Sequence, residues 1–263
     1  MRGSIVSTSF NAAAVAASDE RFARLRAETA LFMRDHVLSL VSHDLRSPLN
    51  AIHSWAYVLE RKIDVADAAA QRALAGIRSG IDQQVKLLED AVDSTRSATR
   101  TLALQRAPFA IRAVVDTVVG DVQRALADAR GVSITVDMPL ADEMCDGDRE
   151  RAAQAVWVML VFAVECSAPG AAVKVESRID AGFWHTDVAC SMRFAALEDA
   201  ELPHALEPFA RKQATLPREA GRIAWVLALP HRVATAHGGT FEQGPTVDGQ
   251  PSTVSLRLPL AAA

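Results

Sequence analysis

Residues 38–52 read LSLVSHDLRSPLNAI. Leu38, Val41, Leu45 and Leu49 recur at intervals of three or four, and Ile52, Trp55 and Leu59 continue the series. That spacing predicts one long amphipathic helix running straight through Pro48. A proline inside a helix removes one backbone donor and clashes with the carbonyl four residues earlier, at a cost of about 3 kcal/mol. The carbonyl in question belongs to Asp44, so a bend is expected beside His43. His43 lies off the apolar stripe and should face solvent. An exposed imidazole offers an uncharged ring nitrogen near neutral pH and is a competent nucleophile. Asp44 is placed to hold the ring or take its proton. Arg46 and Ser47 follow one turn along the same face, where they can meet a phosphoryl group or an acidic partner.

Outward from this stretch, the helical pattern runs from about Ser18 to Lys62, pauses over KIDVADAAA (62–70), and resumes through Leu74, Ile77, Ile81, Val85, Leu88 and Val92. Two long helices with a short link predict an antiparallel hairpin over residues 18–104. A lone hairpin cannot bury two wide stripes, so a homodimer closing a four-helix bundle is expected. QRAP (105–108) ends the pattern. Residues 109–260 alternate between helix and strand signals: a helix over 111–129, a strand over 132–137 and a helix over 149–166. Strands over 173–179 and 184–190, split by the turn DAG, come next. A short helix over 201–209, a helix over 223–237 and two terminal strands, 240–243 and 252–258, complete the order. It predicts an α/β sandwich, so the fold class is a helical hairpin followed by an α/β domain.

Composition narrows the function. The chain has 263 residues, 50% apolar and 5% aromatic, with a net charge of −4. That balance excludes the basic footprint of a nucleic-acid binder. The longest apolar run, AVWVMLVFAV (155–164), is half the length of a membrane span, so no direct membrane insertion is expected. Cys145, Cys166 and Cys190 are few, odd in number and far apart. They read as buried small groups in a reducing, cytoplasmic setting. The opening MRGS resembles an expression leader and stays outside the fold argument. His36, His185, His204 and His231 read as surface or interface residues, and Gly238–Gly239 after His237 as a helix end and turn. No metal site is expected.

SHDLRSPLNAI resembles the H box of two-component histidine kinases, whose pattern is Ser-His-Glu/Asp-Leu-Arg-Thr/Ser-Pro-Leu. The resemblance implies that His43 is the phosphoacceptor, that Asp44 assists transfer, and that Ser47 occupies a position able to help hydrolyse a partner's phosphoaspartate. Residues 149–177, LPHALEPFARK (202–212) and ATAHGGTFEQ (234–243) resemble the catalytic ATP-binding domain of the same kinases. Where that family holds Mg²⁺ and phosphates with two asparagines four apart, this chain has Val158 and Phe162. Glu165 stands where the family often has lysine, and an acid there would repel a triphosphate. Cys190, Met192 and Phe194 replace the adenine-reading Asp-x-Gly-x-Gly box, and Arg222, Ala224 and Val226 replace the last glycine box. Shifting the register does not restore the box, because residues 149–240 contain no asparagine. The implied function is a histidine phosphotransferase with no cofactor of its own. Its partners would be response-regulator receiver domains that bring the Mg²⁺. The alternative is a non-catalytic pseudo-histidine kinase that regulates a partner kinase.

Overall fold

The computed structural model describes residues 3–64, 67–99, 102–216 and 223–261. Side-chain surroundings are described for 12–64, 67–88 and the later ranges. The chain divides into two compact units. One holds residues 34–101, and the other combines the residues through Met33 with 102–263.

The first unit is the hairpin. Helix α1 spans Gly3–Glu60 with Pro48 inside it, and α2 spans Ala68–Thr99. Asp67 caps α2, its Oδ1 accepting from the amides of Ala69 and Ala70. Arg78 of α2 reaches back to Glu60 at 2.8 Å. The seam between the helices is built from Ser42, Leu49 and Ala56 facing Leu74 and Ile81, all buried. The seven-residue spacing on both sides is that of a coiled-coil seam. The stripe predicted from sequence lies largely outside this seam. Leu38, Val41, Leu45, Ile52, Trp55 and Leu59 are exposed in the single chain, Trp55 at 69%.

The second unit is an α/β sandwich. A short antiparallel pair, β1 (Ala107–Ala110) and β3 (Met144–Gly147), stands apart from a five-stranded sheet. Between them lie α3 (Ile111–Val122), a π-turn over Gln123–Ala127, α4 (Asp128–Arg130) and β2 (Ser133–Asp137). Helix α5 (Arg149–Glu165) precedes the hairpin β4 (Ala172–Asp180) and β5 (Phe183–Ser191). The chain continues through α6 (Phe194–Glu198), α7 (Pro208–Thr215), a 3-10 turn at Trp225–Leu227 and α8 (Ala228–Ala236). It ends with β6 (Thr240–Gln243) and β7 (Pro251–Pro259). Sheet order is β2-β4-β5-β7-β6, with only β2 and β4 parallel.

Alternation explains the layering. Trp184, Thr186, Val188 and Cys190 of β5 and Ser252, Val254, Leu256 and Leu258 of β7 all point inward onto the helices. The DAG turn places Ala181 and Gly182 at φ 48° and 81°, as a two-residue hairpin requires. Two expectations shift. The helix placed at 201–209 starts at Pro208 instead, because proline at the first helical position supplies a pre-set φ and lacks only an amide no helix start needs. β1 and β3 carry no clear alternation and were not anticipated.

Helix α5 departs from a two-layer pattern. Every residue from Gln154 to Glu165 is buried, whereas a helix lying on a sheet normally keeps one face wet. The sides of α5 are packed against α3 and α8, and the upstream part of α1 adds a further cover at Trp157. Ser18, Leu25, Thr29 and Met33 are buried along one face of that helix, and Phe22 meets Trp157 edge to face at 5.3 Å.

Candidate functional site

The seam sets the orientation of the H-box residues. Ser42 is buried, and one residue on, about 100° around the helix, His43 points away with its side chain 77% exposed. Asp44 is 71% exposed, and its Oδ1 lies 3.3 Å from His43 Nδ1. A carboxylate on Nδ1–H leaves the Nε2 lone pair outward, which is the arrangement of an oriented nucleophile. Arg46 is half-buried and Ser47 exposed, one turn further along α1. The four residues named from sequence therefore share one accessible patch on a helix that continues unbroken through Pro48.

The other predicted positions lie in the sandwich. Val158 and Phe162 are fully buried side chains of α5, and Met192, Ala224 and Val226 are equally buried. Burial pushes the Cys190 thiol up to about 12 and the Cys145 thiol up to about 11, so both are protonated core groups; Cys190 donates to the Met192 sulfur at 3.9 Å. Arg222 lies outside the described residues. The backbone here is also engaged. The Ala224 amide donates to Gln243 Oε1 at 2.8 Å and the Trp225 amide to Gln213 Oε1 at 2.9 Å.

Glu165 requires a correction. It does not face an open phosphate site; it is fully buried. Its Oε1 accepts from the amides of Ala205 and Leu206 at 2.6 and 2.9 Å, and its Oε2 lies 2.7 Å from His204 Nδ1. His204 is correspondingly no ordinary surface residue: its side chain is 9% exposed and its Nε2 donates to the Asp199 carbonyl. Buried Arg130 closes the cluster, donating to the carbonyls of Glu165, Ala196 and Pro203. Desolvation lowers the Arg130 pKa, with Glu165 opposing that shift. The cluster fixes the loop before α7. A lone acid ending an apolar helix was the signal, but its partners lie about forty residues downstream.

Two more polar centres were not anticipated. Asp121, buried on α3, accepts from Ser18 and from Arg21 Nε and Nη2, the latter two at 2.9 Å. His237 is buried; its Nδ1 donates to the Val233 carbonyl at 2.8 Å and its Nε2 accepts from the Asp148 amide at 2.9 Å. Asp148 in turn caps α5 and accepts from the Gln105 amide. Among the described residues no group of three or more His, Cys, Asp or Glu is arranged to hold a metal. No described helix is long and apolar enough to cross a membrane.

Residues 33–100 match the His Kinase A (phospho-acceptor) domain. The crystal structure of a histidine kinase from Burkholderia phymatum STM815 is 54% identical, covers 92% of this chain and 99% of its own, and superposes with a TM-score of 0.75. Among curated proteins, the sensor protein DivL of Caulobacter vibrioides is 28% identical over 89% of this chain, and the histidine protein kinase DivJ of the same organism 27% over 92%. This chain spans only 29% of the former and 40% of the latter. With an exposed H-box histidine on a helical hairpin, an α/β sandwich following it in the sequence and a relative more than half identical along nearly its whole length, the chain belongs to the histidine kinase family.

Proposed function

We propose that this protein is a histidine phosphotransferase of a two-component phosphorelay, working as a homodimer without ATP. The observation that carries the reading is a contrast. His43 is presented to solvent beside Asp44, while the positions that would serve a nucleotide hold buried apolar side chains. Val158 and Phe162 have no oxygen for Mg²⁺, a hard cation that takes oxygen ligands. The amides of Ala224 and Trp225, which a glycine box would turn to phosphate, are bonded to two glutamines. The residues present do not fit Mg²⁺-ATP.

In this reading His43 Nε2 attacks the phosphorus of a receiver's phosphoaspartate. The N–P bond forms as the acyl P–O bond breaks, and the aspartate leaves as carboxylate. A second receiver's aspartate then attacks phospho-His43, and the imidazole departs. Phosphoryl transfer depends mainly on alignment and charge stabilisation. Asp44 holds the ring, Arg46 and Ser47 line the approach, and the receivers supply the Mg²⁺. The exposed face of Leu38, Val41, Leu45, Ile52 and Trp55 supports closure of a four-helix bundle by a second copy.

That same face supports a second reading, in which it pairs with the hairpin of a true kinase and this chain regulates its partner without chemistry. One experiment separates them. Receiver domains loaded with labelled phosphate are mixed with the protein and with His43→Ala. Acid-labile, base-stable label that disappears in the variant supports the phosphotransferase. No label from a complete receiver panel refutes it and leaves the regulatory reading.

A further inference from the structure

The face of the five-stranded sheet turned away from the helices is open, and its charges are ordered in rows. Pairing sets Asp137, Glu176, Asp187, Ser255 and Glu242 side by side across all five strands. Two residues along the strands, Arg178, His185, Arg257 and Thr240 form the adjacent row. An acidic row thus lies about 7 Å from a basic one. Like charges directly opposite each other weaken a sheet, so the stability of the sheet alone does not account for this order.

Much of the repulsion is relieved within the face. Lys174 pairs with Glu176, and Arg178 lies 2.6 Å from Asp187. Arg257 and Glu242 line the same concavity of about 490 Å³, yet neither has an ion pair among the described residues. Arg257 sits over the Phe183 ring at 3.6 Å. That contact draws it toward β5, whereas Glu242 stands on β6, on the other side of β7.

An unpaired positive and an unpaired negative group on one face make that face complementary to itself. A two-fold axis running between the two rows lays the acidic row of one copy on the basic row of another. Arg178 of one copy then faces Glu176 of the other. Arg257 comes within one strand spacing, about 4.8 Å, of the other copy's Glu242, and symmetry makes each contact twice. Three nine-residue strands and two shorter ones give the face about 550 Å², so a pair buries about 1,100 Å². That is the size of a transient contact.

We propose that the open sheet face is a self-association surface, on which a second copy of this chain docks sheet to sheet through Arg257 and Glu242. It is distinct from the apolar face of the hairpin and stands apart from whether His43 accepts phosphate.

Sedimentation of the full chain across the micromolar range tests it. The mass should rise through one association step that high salt weakens. The step starts from monomer or from dimer according to the hairpin, and reads the sheet either way. Arg257→Glu and Glu242→Arg should each weaken it at least about tenfold, because like charges then meet at two symmetric points. An equimolar mixture of the two variants should regain it, since each supplies the charge that the other lost. Both substitutions lie on the open face, and matching circular-dichroism spectra check that both variants fold. A wild-type chain with no such step would overturn the proposal. So would a step that survives in both variants, which would place the contact elsewhere. A mixture that stays dissociated would overturn self-pairing and leave the face to a partner with another order of charge.

Discussion

Replacing Glu165 by alanine tests the account of the buried cluster most directly. The change strands the amides of Ala205 and Leu206 and the facing nitrogen of His204, and removes the charge opposing the desolvation of Arg130. Each buried group left without a partner costs about 1–3 kcal/mol, so stranding the three together is expected to cost about 3–5 kcal/mol. Glutamine keeps an acceptor for the two amides and should cost only about 1–2 kcal/mol. Urea unfolding followed by tryptophan fluorescence reads the difference. With a slope near 2 kcal/mol per molar, alanine should lower the sandwich midpoint by about 2 M. A shift below about 0.5 M in Glu165→Ala would refute the claim that this carboxylate organises the loop before α7. So would equal shifts for the two variants.

His43→Ala should remove phosphoryl label while changing stability by less than about 0.5 kcal/mol, since the side chain is 77% exposed; a circular-dichroism melt checks the second half. Burial lowers the His237 pKa from 6.5, so the unfolded chain binds the proton more readily than the folded one. Stability should be intact above pH 6.5 and fall as pH drops toward the lowered folded value, by at most about 1.4 kcal/mol per pH unit. His237→Asn should flatten that slope in urea midpoints measured above the carboxylate range. At Gly239 an added Cβ would lie 1.9 Å from the Arg257 carbonyl oxygen, so Gly239→Ala should cost at least about 1–3 kcal/mol and be visible as a lower melting temperature.

What could be read from sequence was what local pattern controls. The apolar run of α5, the hairpin about DAG and the H box each depend on neighbours within a few residues. The hairpin seam was harder. Both the Leu38–Val41–Leu45 stripe and the Ser42–Leu49–Ala56 seam have helical spacing, and only the position of α2 decides which is buried. Leu49 belongs to both. Glu165 was misplaced for a related reason. Its position in α5 was right, but its surroundings depend on a loop forty residues away. Asp121 carried a local clue, a carboxylate within the apolar series Val118, Val119 and Val122, yet its partners lie a hundred residues upstream. The short β1–β3 pair offered no periodicity to read.

Gln213 and Gln243 hold the backbone of the segment at 224–225. Under the proposed reading, restoring glycine at position 224 would leave its amide bonded to one glutamine and its neighbour's bonded to the other. Both side chains would have to be replaced as well, and oxygen donors returned to positions 158 and 162, before a phosphate gained anything from the segment. None of these steps is rewarded alone. In that reading the two glutamines act as a ratchet, since no single mutation opens the segment to a phosphate.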